Sequence, residues 1–149
     1  MKQKFVDYLN QIKMAETYVI AIEESISNIE SLYGVTVDDI FVNMIKEEER
    51  INVNSLWLFC GDSLVECKDF IRSKNYDIVK YLSNIQYTTI ELQDVDVQMR
   101  TIDDKSIVKI YAVIGKGGNL SCSLSACGEN CRKCIEVYKR FFVQNVVNI

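Results

Sequence analysis

Four cysteines stand within thirteen residues near the end of the chain, and thiolates at such spacing can bind a metal ion or exchange electrons. They are Cys122, Cys127, Cys131 and Cys134 in the segment CSLSACGENCRKC. Tetrahedral zinc sites accept four thiolates, but a zinc ribbon uses two CxxC pairs and this segment has one. Cys131 and Cys134 also share an apolar helical stripe, and free cysteine packs like a small hydrophobic residue. We therefore expect core thiols, with a zinc or redox site as the alternative.

Basic residues are concentrated in the same part of the chain. From Lys105 onward there are seven basic and two acidic residues, a net charge of +5, so residues 1–104 carry −9 of the total −4. Two differently charged faces of one domain would explain this asymmetry, and so would a basic surface that meets an anionic partner. The acidic total argues against bulk nucleic-acid binding. The candidate binding residues are Lys116, Arg132, Lys133, Lys139 and Arg140.

Other groups that could do chemistry have simpler explanations. The run GKGGN at 115–119 lacks the Ser or Thr and the following helix of a phosphate-binding loop, so it predicts a hairpin turn. Asp94 and Asp96 could form an acidic enzyme site with Asp103, or bind a divalent cation with Asp103 and Asp104, but a solvated strand face also explains them. The sequence contains no His, the commonest general base near neutral pH. We expect no catalysis and no cofactor.

Helices are predicted at both ends of the chain. Apolar side chains in residues 3–32 recur at steps of three and four, which predicts a helix, and Gly34 is a plausible C′ residue after it. A second helix is predicted from Asp38 or Asp39 to Arg50, which makes residues 1–52 a helical front. The segment from Glu129 to about Val147 predicts an amphipathic helix with an aromatic stripe.

The middle of the chain is rich in strand patterns. The dipeptide Gly61-Asp62 predicts a two-residue turn that places Cys60 opposite Ser63, and Cys67 opposite about residue 56. Further strands are predicted at YDIVKYLS, NIQYTTIEL, DVDVQMRTI, SIVKIYAVI and NLSCSLSA. Short links between consecutive strands imply an antiparallel meander. We expect one α+β domain in which residues 53–149 form a six- or seven-stranded meander or barrel, closed by the C-terminal helix.

This order of elements resembles the bacterial pleckstrin-homology-like (PH-like) superfold. The start of NIQYTTIEL is similar to a strand pattern of its bacterial members, and the resemblance covers roughly residues 54–147. It implies a PH-like barrel with a binding role. Ligand sites of PH-like domains often use basic residues between the first two strands. The loop expected there, Gly61-Asp62, is short and acidic, so the resemblance does not favour phosphoinositide binding.

The sequence as a whole predicts a non-catalytic binding or interaction module whose partner is a protein or peptide. A thiol-based zinc or redox protein that uses the four clustered cysteines is the alternative. No apolar stretch near the N-terminus has the length of a signal peptide or membrane span, so we expect a cytoplasmic protein. The apolar residues 18–22 of the helical front could pack on the sheet or form a homodimer interface.

Overall fold

The fold is α+β, with two antiparallel sheets and helices at both ends of the chain. It is seen in a computed structural model that describes residues 1–72, 75–96, 98, 101–115 and 120–145. The main elements are α1 (Gln3–Gln11), α2 (Glu16–Tyr33), β1 (Asp39–Glu47), β2 (Arg50–Cys60), β3 (Ser63–Lys68), β4 (Asn75–Tyr81), β5 (Ile85–Gln93), β6 (Ile107–Ile114), β7 (Leu120–Cys127) and α3 (Cys131–Val137). A π-helical turn, Tyr138–Phe142, and a 3-10 turn, Val143–Asn145, continue α3. We call residues 131–145 the C-terminal helix.

The strands form two open sheets, of four and three strands, and not the single six- or seven-stranded meander or barrel that the sequence predicts. The first sheet has the order β1-β2-β3-β4 and the second has the order β5-β6-β7. The two sheets meet where β1 runs beside β7. There the Ser125 backbone N–H donates to Asn43 Oδ1 at 2.6 Å. The Gly61-Asp62 hairpin is confirmed, since Cys60 pairs with Ser63 and Leu56 with Cys67.

The predicted helix from Asp38 or Asp39 to Arg50 is wrong, because this segment forms β1 and the turn into β2. Residues 39–44 of β1 are all buried. Ile40 and Val42 face one core, whereas Phe41 faces the other. A strand covered on both faces has a continuous apolar run and no two-residue alternation, so its sequence is hard to tell from that of a buried helix. The helical front therefore ends at Tyr33 and not at residue 52.

The first part of the chain is two helices and not one. Lys13 has a φ of 56°, and the Met14 N–H donates to the Leu9 carbonyl at 2.9 Å while the Lys13 N–H donates to that of Asn10. These two bonds form a Schellman motif, which ends α1. The helix end predicted at Gly34 is confirmed, because Gly34 has a φ of 63° directly after α2. A lysine in the left-handed conformation explains why the first break is missing from the sequence pattern.

The first sheet separates two hydrophobic cores. On one face Leu56 and Leu58 pack with α1 and α2. On the other face Trp57 and Phe59 pack with the second sheet and the C-terminal helix. Alternate residues of β2 thus point into different cores, as strand geometry requires. In the described part of the chain no helix has the length and apolar composition to cross a membrane.

The C-terminal helix has the predicted position but an unpredicted π turn. Within this turn Phe141 stacks on Phe59, with ring centroids 4.3 Å apart, and Phe142 meets the same ring edge-on at 6.4 Å. A π turn contains more residues than an α turn, so consecutive side chains lie closer in direction around the axis. Two adjacent aromatic residues can therefore contact one core residue. The last predicted residues, 146–147, lie outside the described residues.

The strands predicted at YDIVKYLS, NIQYTTIEL, SIVKIYAVI and NLSCSLSA are confirmed as β4, β5, β6 and β7. The strand predicted at DVDVQMRTI is not seen where the chain is described. Residues 94–96 form a bend and an irregular segment, and Asp94 has a φ of 52°. Residues 97, 99 and 100 of that prediction lie outside the described part.

Candidate functional site

A cleft of about 700 Å³ lies between α1 and the C-terminal helix. One wall comes from Lys4, Asp7, Tyr8 and Gln11 of α1. Residues at steps of three and four share one face of a helix, so α1 turns a single polar face to the cleft. Its apolar side chains Phe5 and Leu9 are buried in the core below.

The opposite wall comes from the C-terminal helix. Its lining residues are Arg132, Lys133, Glu136, Lys139, Arg140 and Gln144. Four of the five candidate binding residues therefore line one cleft. The fifth, Lys116, lies outside the described residues. The remaining lining residue is Asp39, at the start of β1. The lining contains amides, a phenol, five cationic and three anionic side chains, which are groups that form hydrogen bonds and ion pairs.

A nearly buried ion pair forms part of the cleft floor. Lys133 Nζ lies 2.7 Å from Asp39 Oδ1, and the two side chains are 14% and 3% exposed. The Ile40 N–H also donates to this oxygen. The other oxygen, Asp39 Oδ2, is buried without a hydrogen bond in the described part of the chain, and Arg140 Nη1 lies 3.8 Å from it. Loss of either Lys133 or Asp39 would leave the other charge buried without a partner, which is unfavourable. The Lys133 ammonium is therefore held in place by Asp39.

A second buried network joins α1, β1 and the start of the C-terminal helix. The Tyr8 hydroxyl donates to Asn130 Oδ1 at 2.6 Å and accepts from the Val42 N–H at 3.0 Å. Asn130 Nδ2 donates to the Val42 carbonyl at 2.8 Å. Burial raises the pKa of Tyr8 well above its usual value, so the phenol keeps its proton and donates. At Val42 the backbone N–H and carbonyl of β1 are thus satisfied by two side chains in place of another strand.

The other cations of the C-terminal helix differ in how closely they are paired with carboxylates. Arg132 Nε bonds Glu129 Oε1 at 2.9 Å. Arg140 is 56% exposed and its Nη1 lies 3.8 Å from Glu136 Oε1, the same distance as from Asp39 Oδ2. Both distances exceed the range of a hydrogen bond. Lys139 is exposed on the same turn. Arg140 and Lys139 are therefore the cations of the C-terminal helix that are most open to a ligand.

The four clustered cysteines do not converge. Cys122, Cys131 and Cys134 belong to the core between the sheets and the C-terminal helix, whereas Cys127 belongs to the core under α1 and α2. Among the residues described, no group of three or more potential metal ligands is found. Burial raises the pKa of Cys122 and of Cys131 to about 12, which disfavours the thiolate that metals and redox chemistry need.

The acidic residues proposed as an enzyme site differ in their surroundings in the described part of the chain. A shallow depression includes Asp94, with Lys46 and Lys105, but neither Asp96 nor Asp103 lines it. Asp103 Oδ1 instead accepts from the Lys105 N–H at 2.8 Å, which stabilises the turn before β6.

The lining residues outside the basic segment, on α1 and at the start of β1, are not predicted as part of a site from the sequence. The spacing of Lys4, Asp7, Tyr8 and Gln11 is a signal for a polar helix face. Asp39 has no such signal, because the sequence predicts a helix where β1 forms. The Tyr8–Asn130 contact joins residues 122 positions apart.

Comparison of the chain with protein-family models, curated proteins and solved structures finds no match, so the cleft is interpreted from its own geometry.

Proposed function

We propose that this chain is a non-catalytic binding module, and that a peptide segment of a protein partner binds in the cleft between α1 and the C-terminal helix. The observation that carries the proposal is the convergence of Arg132, Lys133, Lys139 and Arg140 on that cleft. A hydrogen-bonded floor holds the two walls together, so the site is formed before a partner arrives.

The shape of the cleft supports a peptide. It is an open groove between two helices, and its lining includes Gln11 on one side and Gln144 on the other. Side-chain amides both donate and accept, as the main chain of a peptide requires. Grooves between helices are a recurrent place for segments of other proteins to bind.

The PH-like resemblance remains a proposal. It is supported by the order of the elements, in which seven described strands in two antiparallel sheets precede a C-terminal amphipathic helix. The loop between the first two strands is Glu48-Glu49 and not Gly61-Asp62, because β1 occupies the segment predicted as a helix. This loop is also acidic, and it favours a protein partner over a phosphoinositide.

Selection from a displayed library of random peptides tests the proposal. The wild-type protein is compared with the double variant Lys139→Glu/Arg140→Glu, which reverses two exposed charges of the cleft. We expect peptides that are enriched by the wild type and lose at least about tenfold in affinity for the variant, because both cations face the ligand.

The matched control is Arg72→Glu/Lys105→Glu, which reverses the same number of charges at exposed positions outside the cleft. It should bind the selected peptides as the wild type does. Trp57 is 2% exposed, so its fluorescence reports whether each variant is folded. Enrichment of no peptide, or of peptides that bind the cleft variant equally well, would refute the proposal.

A further inference from the structure

We infer that the cleft binds an acidic peptide segment, whose side-chain carboxylates are held by Arg140 and Lys139. The inference rests on the proposed function and specifies the chemistry of the peptide. It is carried by the charge of the cleft, by the state of its cations and by the local structure of the helix that presents them.

The cleft has the opposite charge to the rest of the molecule. Its lining includes five cationic and three anionic side chains, an excess of two positive charges, while the chain as a whole carries −4. A segment rich in Asp or Glu is therefore attracted to this cleft, and a basic segment is repelled from most of its rim.

On the C-terminal helix, fixed cations can be distinguished from available ones. Lys133 is held at 2.7 Å by Asp39, and Arg132 is bonded to Glu129. Arg140 Nη1 lies 3.8 Å from a carboxylate oxygen of Asp39 and 3.8 Å from one of Glu136. Both distances are too long for a hydrogen bond. The planar Arg140 guanidinium can therefore give two parallel hydrogen bonds to one incoming carboxylate.

The π turn that carries Lys139 and Arg140 is anchored in the core. Phe141 and Phe142 of the same turn pack against Phe59 in the core, and the Arg140 guanidinium lies 5.5 Å from the centre of the Phe141 ring. Single π turns within helices are frequent at functional sites. Here the turn directs two neighbouring aromatic side chains inward while two neighbouring cations face the cleft.

The length of the wall sets the length of the ligand. The nine residues of α1 span about 13 Å at the rise of an α-helix. An extended peptide covers that distance with about four residues. Blocked penta-glutamate, acetylated and amidated so that only side chains carry charge, is therefore a suitable probe.

Fluorescence polarisation with labelled penta-glutamate tests the inference, and penta-glutamine is the uncharged peptide of the same length. We expect the wild type to bind penta-glutamate about tenfold tighter than penta-glutamine, with binding weakened by added salt. Lys139→Glu/Arg140→Glu should abolish this preference, whereas Arg72→Glu/Lys105→Glu should leave it unchanged. Arg140→Lys should reduce affinity severalfold, because lysine keeps the charge and loses the paired donors.

Equal affinity for the two peptides would overturn the inference. If the library peptides bind in the cleft but are neutral or basic, the inference fails and the proposed function stands. If no peptide depends on the cleft, both fail. Displacement of penta-glutamate by an oligonucleotide or by inorganic phosphate at equal or lower concentration would also overturn it. Self-association that Lys139→Glu/Arg140→Glu abolishes would assign the cleft to a second copy of the chain instead.

Discussion

Tyr8 is the residue that ties both walls of the cleft to the first sheet. Its hydroxyl is saturated by Asn130 and Val42, and the residue is 6% exposed. The role of this hydroxyl is structural, since it is directed into the floor. Lys139 and Arg140, in contrast, are exposed and can contact a ligand. Stability and binding should therefore respond to different substitutions.

Tyr8→Phe is expected to destabilise the fold by about 1–3 kcal/mol, because it leaves a buried N–H and a buried amide oxygen without their partner. The measurement is urea unfolding followed by Trp57 fluorescence. Tyr111→Phe is the control, since Tyr111 is 44% exposed and its loss should change the unfolding free energy by less than about 0.5 kcal/mol. Equal effects of the two substitutions would contradict the network described above.

The six thiols give a second prediction at this scale. All six cysteines are buried, and burial raises the pKa of Cys60 to about 11 and that of Cys67 to about 12. We expect them to react with DTNB near pH 8 only after urea unfolding, because the thiolate is the reactive form. Lys105→Cys supplies an exposed thiol that should react at once. Rapid reaction of native thiols, or zinc that copurifies with the protein, would revive the zinc or redox alternative.

At the scale of elements, helix ends decide how the front of the molecule folds. Two ends have left-handed residues, Lys13 after α1 and Gly34 after α2. Only the second has the residue type that the sequence pattern signals. A Cβ added at Gly34 would meet no atom of the described residues within 4 Å, so a substitution there tests backbone conformation.

Gly34→Ala should cost about 1 kcal/mol, because an L-residue is strained in the left-handed region. Gly34→Asn should cost less, since asparagine tolerates that conformation. Urea unfolding of both variants measures the difference. If Gly34→Ala matches or exceeds the wild type in stability, the left-handed end of α2 is not what the structure describes.

At the scale of the whole molecule, the buried thiols link stability to pH. Each folded-state pKa lies above the ordinary thiol value of 9.0, so between these values the unfolded chain binds fewer protons than the folded one. The stabilisation is present in full below about pH 8 and declines as the pH rises through 9 toward 12. The cores of this protein should therefore weaken in alkali.

Cys122 isolates one such contribution. Between pH 8 and pH 10 its ionisation in the unfolded chain should lower the unfolding free energy by about 1.4 kcal/mol. Cys122→Ala should remove that share of the decline, whatever its effect at neutral pH. Urea titrations of the two proteins at both pH values, with reductant present, give the comparison. Parallel pH profiles for wild type and variant would contradict the burial of this thiol.

Local patterns were sufficient for much of the fold. The strand at SIVKIYAVI, the Gly61-Asp62 hairpin, the Gly34 helix end and the position of the C-terminal helix can all be predicted. Each depends on residues close together in sequence. The α1 break could not be predicted in this way, because a lysine occupies the position where glycine is usual.

The sequence by itself determined which side chains are apolar, which segments have a period and that positive charge is concentrated after Lys105. Only the tertiary structure decided that Asp39–Glu47 is a strand, since burial on both faces removes the alternation that marks one. It also decided the candidate site. Asp39 meets Lys133 from 94 positions away, and Tyr8 meets Asn130 from 122. Such contacts follow from how the sheets and helices pack, which no short-range pattern records.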